Sequence, residues 1–134
     1  MKITRRTDYA ILLIADLSDN PEKPLGLRTL AERHGVTYAF ARTVQQGLLK
    51  AGIVATERGI NGGIKLARSL KEITLLEVFE AAQDPLDKAF TTKGSALCSC
   101  ENICVADDLW QSTREVLGKH LAGIKLCTII REYE

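Results

Sequence analysis

LRTLAERHGVTYAFARTVQQGLLKAGIVATERGINGGIKLAR, Leu27 to Arg68, runs through two helical hydrophobic periods and then a strand-like one. Leu27, Leu30 and Ala31 recur at helical spacing, Gly35 interrupts, and Phe40, Ala41, Val44 and Leu48 resume it. Thr37 is placed as an N-cap, and Gly52 stands where a helix ends in the left-handed conformation. Two short helices about a turn are a helix-turn-helix. IVATERGINGGIKLAR then reads as strand, tight turn, strand, with Asn61-Gly62 as the hairpin signal and Gly59 and Gly63 freeing the backbone beside it. The expected fold is mainly α with a small β-hairpin wing: a winged helix-turn-helix followed by a further long helix.

The second helix of the motif turns Tyr38, Ala39, Arg42, Gln45 and Gln46 outward. These types suit base edges in a major groove: Arg to guanine, Gln to adenine, Ala against a thymine methyl. Any exposed helix carries Arg and Gln, so the hairpin that follows is the more specific signal. It sets Arg58, with Gly59 and Asn61 beside it, where a wing enters a minor groove.

Charge divides the same way. Residues 1–68 hold 11 Lys and Arg against 6 Asp and Glu, whereas residues 69–134 hold 7 against 11. The overall +1 therefore hides halves of +5 and −4, and the basic half points to a polyanion. At 134 residues, with 46% hydrophobic and 26% charged side chains, the chain suits one compact unit, or a small domain with an oligomerisation element. Its start, MKITRRTDYAILLIADL, sets Arg5 and Arg6 before an apolar run. Asp8 and Asp16 bracket that run, which is too short and too charged for export or membrane spanning. The reading is an amphipathic helix in a cytoplasmic protein.

The expected boundary is near residue 70, with a DNA-binding winged helix over 1–70 and a cysteine loop and dimerisation helix over 71–134. ITLLEVFEAAQ, from Ile73, reads as a helix entered after Thr74, with Leu76, Val78 and Phe79 available for burial. ADDLWQSTREVLGKHLAGIKL carries an apolar stripe of Leu109, Trp110, Val116, Leu117, Leu121 and Ile124, cut by Gly118 and Gly123. Such a stripe serves either a core or a twofold interface, and so small a chain has few other surfaces for it to cover.

Between these helices, LCSCENICVADDLW places Cys98, Cys100 and Cys104 within seven residues. A disulfide, a metal or cluster site, and chance crowding of small residues are all compatible with the spacing. A reducing compartment favours metal or redox use over a disulfide. Sitting just before a helix start, the thiols would have lowered pKa values and favour thiolate ligation. Three thiolates hold zinc or an iron-sulfur cluster, and either needs a further ligand. His34 and His120 are not local, and Cys127, in GIKLCTII, reads as a buried small residue.

KITRRTDYAI, LAERHGV, LLKAGIV and above all RGINGGIKLAR resemble the winged-helix regulators of the IscR/NsrR family, and the resemblance covers nearly the whole chain. It implies a homodimer on a palindromic duplex DNA operator, with the second helix in the major groove and the wing arginine in the minor groove. By position it implicates Thr37, Tyr38, Arg42 and Arg58, with Arg5 near the phosphate backbone. IscR-like members often carry glutamate where this chain has Arg42.

The resemblance also implies an iron-sulfur cluster, 2Fe-2S or 4Fe-4S, held by cysteines between the wing and the dimer helix. Its fourth ligand is either a histidine three residues after the last cysteine or an aspartate of the opening helix. Aligned on Trp110, Cys104 matches the last family cysteine, Cys98 the middle one, Thr92 the first, and Cys100 is extra. Asp107 falls on the histidine position and Asp8 on the opening-helix aspartate. The expected function is transcriptional regulation under cluster control. Zinc or thiol oxidation in place of the cluster is the alternative, and a thiol redox enzyme or iron-sulfur carrier around Cys98-Ser99-Cys100 is the competing class. Such an enzyme would need neither wing nor basic half.

Overall fold

The computed structural model describes residues 3–83 and 105–130. Helix α1 (Arg5–Ser18) starts where the Thr4 hydroxyl accepts the Thr7 backbone N–H at 3.4 Å, and Asp8 in its first turn complements the helix dipole. It buries Tyr9, Ala10, Leu13, Ile14 and Leu17, and so runs through the middle of the core. Helices α2 (Leu27–Arg33) and α3 (Tyr38–Lys50) are joined through Gly35, whose φ of +63° is costly for any residue with a Cβ. Thr37 caps α3 through the Phe40 N–H at 3.1 Å, and Gly52, at φ +74°, ends it, both as expected.

Strands β1 (Val54–Glu57) and β2 (Gly63–Leu66) pair antiparallel, Val54 opposite Leu66 and Glu57 opposite Gly63. The link between them differs from the expected tight turn at Asn61-Gly62. It is a loop from Arg58 to Gly62, closed by a Gly62 N–H bond to the Gly59 carbonyl at 3.0 Å, and Asn61 has no positive φ. The reason lies outside the hairpin. Leu25 exchanges both backbone hydrogen bonds with Ile64, each 2.9 Å, and a Cβ on Gly63 would stand 2.3 Å from the Leu25 carbonyl oxygen. That contact fixes where β2 begins, and the unusual φ is taken up by Gly59.

Helix α4 (Leu75–Ala82) opens on a capping box: the Thr74 hydroxyl accepts the Glu77 N–H, and the Glu77 carboxylate accepts the Thr74 N–H. Burial raises the Glu77 pKa, but hydrogen bonds from Thr74 and the Arg68 guanidinium outweigh it and hold the carboxyl below its ordinary value. This contribution is present above the unfolded pKa and is lost as pH falls through the lower folded value. Thr74→Ala should cost about 1 kcal/mol, read as a lower urea midpoint at unchanged slope.

Helix α5 (Val105–Gly123) runs unbroken through Gly118, which does not cut it, and ends at Gly123. The chain then returns. Leu126 donates its N–H to Ile73, Leu75 donates to Ile124, and α6 (Leu126–Ile130) drops Leu126 and Ile130 into the core of α1 to α4.

Candidate nucleic-acid interface

Ala41, Val44 and Leu48 anchor α3 on the core, which leaves Tyr38, Ala39, Arg42 and Gln46 exposed and Gln45 half-buried. One face is thus apolar and packed, and the other offers hydrogen-bond donors and acceptors at helical spacing. At its amino end Thr37 uses an oxygen lone pair on the cap, so its hydroxyl proton stays available to a phosphate.

Arg5, exposed at the start of α1, lies with its guanidinium carbon 6.0 Å from the Phe40 ring centroid, which sets it beside the same helix end. The sequence reading missed Arg28. From α2 it lies 5.0 Å over the Tyr38 ring, with its planar donors at the edge of the reading surface. Its only signal was a positive charge on an outward position of α2. Among the described residues Arg28, Arg42 and Arg58 form no ion pair, so no carboxylate competes with a phosphate for them.

On the wing, Arg58, Gly59, Ile60 and Asn61 are all exposed. Their base is braced by a Lys65 to Glu57 ion pair across the strands, and the hydrogen bond and charge of Glu57 hold Lys65 above its ordinary pKa. The helix-turn-helix is fastened to α1 by a hydrogen bond and an ion pair: His34 Nε2 lies 2.6 Å and Arg33 3.7 Å from the Asp16 carboxylate. His34 therefore has a positioning partner. Its ring also meets Tyr9 edge-on, and the Tyr9 hydroxyl is raised by burial and then by Asp16.

Of the candidate ligands, Asp8 is exposed on the first turn of α1. Asp107 belongs to the first turn of α5, its side chain outside the described residues together with Cys98, Cys100 and Cys104. Among the described residues no group of three or more His, Cys, Asp or Glu could hold a metal ion. Cys127 departs from expectation. It is a half-buried free thiol at the edge of a cleft of about 590 Å³ that Lys65, Arg68 and Lys71 also line, because α6 buries Leu126 and Ile130 instead.

Gln83 was also missed. Its Oε1 accepts the Thr4 N–H at 3.2 Å, the Thr4 hydroxyl at 3.3 Å and the hydroxyl of buried Thr7. The residue that leads into the cysteine segment is thereby tied to the helix end that carries Arg5 and Asp8. Partners this far apart in sequence leave no local pattern.

A helix-turn-helix with a capped, polar-faced second helix, followed at once by a basic hairpin, defines a winged-helix transcriptional regulator. The chain belongs to the Rrf2 family, whose model, described as an iron-dependent transcriptional regulator, matches residues 3–132. It is 28% identical over 135 residues to the HTH-type transcriptional regulator IscR of Vibrio atlanticus, covering all of this chain and 78% of that one. To protein aau3 of Rhizobium meliloti it is 37% identical over 84 residues, 63% of this chain and 54% of the relative.

Among solved structures, T. potens IscR superposes with a TM-score of 0.76 at 24% identity, covering 100% of this chain and 89% of that one. CymR, the global cysteine regulator of B. subtilis, gives 0.75 at 21% identity, covering 98% of each. Family members are transcriptional regulators rather than enzymes. Among the described residues no helix is long and apolar enough to cross a membrane.

Proposed function

We propose that the chain is a cytoplasmic homodimeric regulator that reads a palindromic operator and whose affinity is set by an iron-sulfur cluster. The division of labour is residues 1–70 for DNA and 71–134 for sensing and dimerisation. The observation that carries the DNA half is the exposed set of Arg42 on α3 and Arg58 on the wing, neither of which forms an ion pair among the described residues. In this reading α3 lies in the major groove with Tyr38, Arg42 and Gln45 toward bases. Arg58, Gly59 and Asn61 lie at the minor groove, and Arg5 and Thr37 take phosphates.

Arg58→Ala should cost about 1–3 kcal/mol of operator affinity and lower the salt slope by about one. Fluorescence anisotropy over a salt series measures both, and unchanged binding rejects the wing contact. Arg42→Ala should relax base preference at one position in each half-site; an unaltered preference would make Arg42 a phosphate contact.

For the sensing half, the donor set of Cys98, Cys100 and Cys104 with a carboxylate from Asp8 or Asp107 suits iron-sulfur ligation. A bound cluster supplies a ligand-exchange and redox centre whose gain or loss distinguishes two states of the chain. The chain's own part is to convert that into a shift of α1. Gln83 joins the cysteine segment to Thr4 and Thr7, and α1 and α4 both pack against α3.

Protein purified without oxygen should be coloured, should lose colour with Cys104→Ala and keep it with Cys127→Ala. A colourless chain holding one zinc would replace the cluster by zinc, and retained colour in Cys104→Ala would refute the ligand assignment. Asp8→Ala should shrink the difference in operator affinity between loaded and apo chain, a coupling of about 1–3 kcal/mol in typical cases. If it leaves that difference intact while Asp107→Ala abolishes it, the fourth ligand is Asp107.

A further inference from the structure

Ile60 is the most exposed large apolar residue among those described, at 104% relative exposure, and it sits between Gly59 and Asn61 at the tip of the wing. Single apolar residues on a surface are ordinary. This one is held outward by a braced loop. Gly62 closes back on the Gly59 carbonyl at 3.0 Å, and its Cβ position lies 2.3 Å from the Glu57 carbonyl oxygen, so the turn closes tightly with no room for a side chain at position 62. Beneath it, β2 is pinned to Leu25 on both backbone groups. A β-branched side chain adds few rotamers of its own. The wing therefore presents one stiff hydrocarbon group next to Arg58.

We infer that Ile60 is a specificity-determining residue that packs into the minor groove and selects A·T over G·C beneath the wing; the inference rests on the DNA-binding reading above. The minor groove tells these pairs apart by the guanine N2 amino group, which projects as a donor from its floor. An isoleucine set against that amino group strips its water and offers no acceptor, which is unfavourable. Against an A·T pair no donor is stranded, and the side chain gains apolar burial. Arg58 favours the same sequences because a narrow A·T-rich groove concentrates negative potential. The two contacts differ in salt dependence, since an arginine on DNA releases counterions and a hydrocarbon does not.

The test begins with duplexes selected from a randomised pool by the full wild-type chain, prepared anaerobically. Affinities are then measured on a selected duplex and on versions with the pairs under the wing changed from A·T to G·C. Ile60→Ala should weaken binding to the A·T duplex about five- to tenfold, reduce the A·T over G·C ratio, and leave the salt slope unchanged. Ile60→Asn, which supplies an acceptor for the guanine amino group, should reduce the ratio further than Ile60→Ala, down to the preference that Arg58 alone contributes. Wild-type affinity and ratio in both variants, with Arg58→Ala weakened, would overturn the role of Ile60. A lower salt slope in Ile60→Ala would also overturn it, because the residue would then act by placing Arg58. If the wild-type chain selects no duplex, or Arg58→Ala binds as well as wild type, the wing reading itself fails.

Discussion

Gly47→Val is expected to destabilise the folded chain by about 3 kcal/mol, the upper end of the usual overpacking cost. A Cβ on Gly47 would stand 2.2 Å from the backbone oxygen of Ala81, where α3 crosses α4. A clash with backbone cannot be relieved by a rotamer change, so the helices must separate. Valine improves helix propensity over glycine by only about 0.5 kcal/mol, too little to offset this. Gly123→Ala is the control, because nothing lies within 4 Å of its Cβ position, and it should change stability by no more than about 0.5 kcal/mol. Urea denaturation of the two variants provides the comparison. An unchanged midpoint for Gly47→Val would mean that α3 and α4 do not meet at this point. The contact matters to function because α3 is the proposed reading helix and α4 leads through Gln83 into the cysteine segment.

That crossing shows which parts of the molecule a sequence reveals. The caps at Thr37 and Thr74, the turn at Gly35 and the end of α3 at Gly52 are local, and each follows from one residue type in one backbone conformation. The helical period of α3 sorted buried Ala41, Val44 and Leu48 from exposed Tyr38 and Arg42, because a packed face leaves a periodic trace. Contacts between distant residues leave none. Gly47 looks like a poor helix former until Ala81 lies against it, and Asn61-Gly62 looks like a two-residue turn until Leu25 claims the start of β2. Arg28 over Tyr38 and Gln83 on Thr4 and Thr7 were hidden for the same reason. The ligand residues were read from cysteine spacing and family position, and Asp8 is the one whose exposed side chain the structure describes.

The stripe expected along α5 separates into two faces. Trp110, Leu117 and Leu121 share one side of the helix, where Leu117 and Leu121 are half-buried. Val105, Leu109 and Val116 are separated by nearly whole turns and share another, at 72%, 66% and 69% exposure. Three branched apolar residues in line on an exposed helix face form the surface that a second copy would cover in the proposed homodimer. Leu109→Glu with Val116→Glu should therefore give a folded monomer, because these exposed positions contribute little to the fold of one chain. Across a twofold interface the same changes bury unpaired, mutually repelling carboxylates.

The effect on DNA should be larger than for any single contact. Two linked reading heads bind with an advantage of about 10²–10⁴ over one, so the double variant should lose operator affinity by a factor in that range. Its affinity for a duplex carrying one half-site should stay close to wild type. Sedimentation equilibrium and anisotropy on full and half operators measure the two quantities separately. A double variant that remains dimeric would place the interface elsewhere. One that is monomeric yet binds the full operator as tightly as wild type would show that a single reading head suffices, and the palindrome would then have no energetic role.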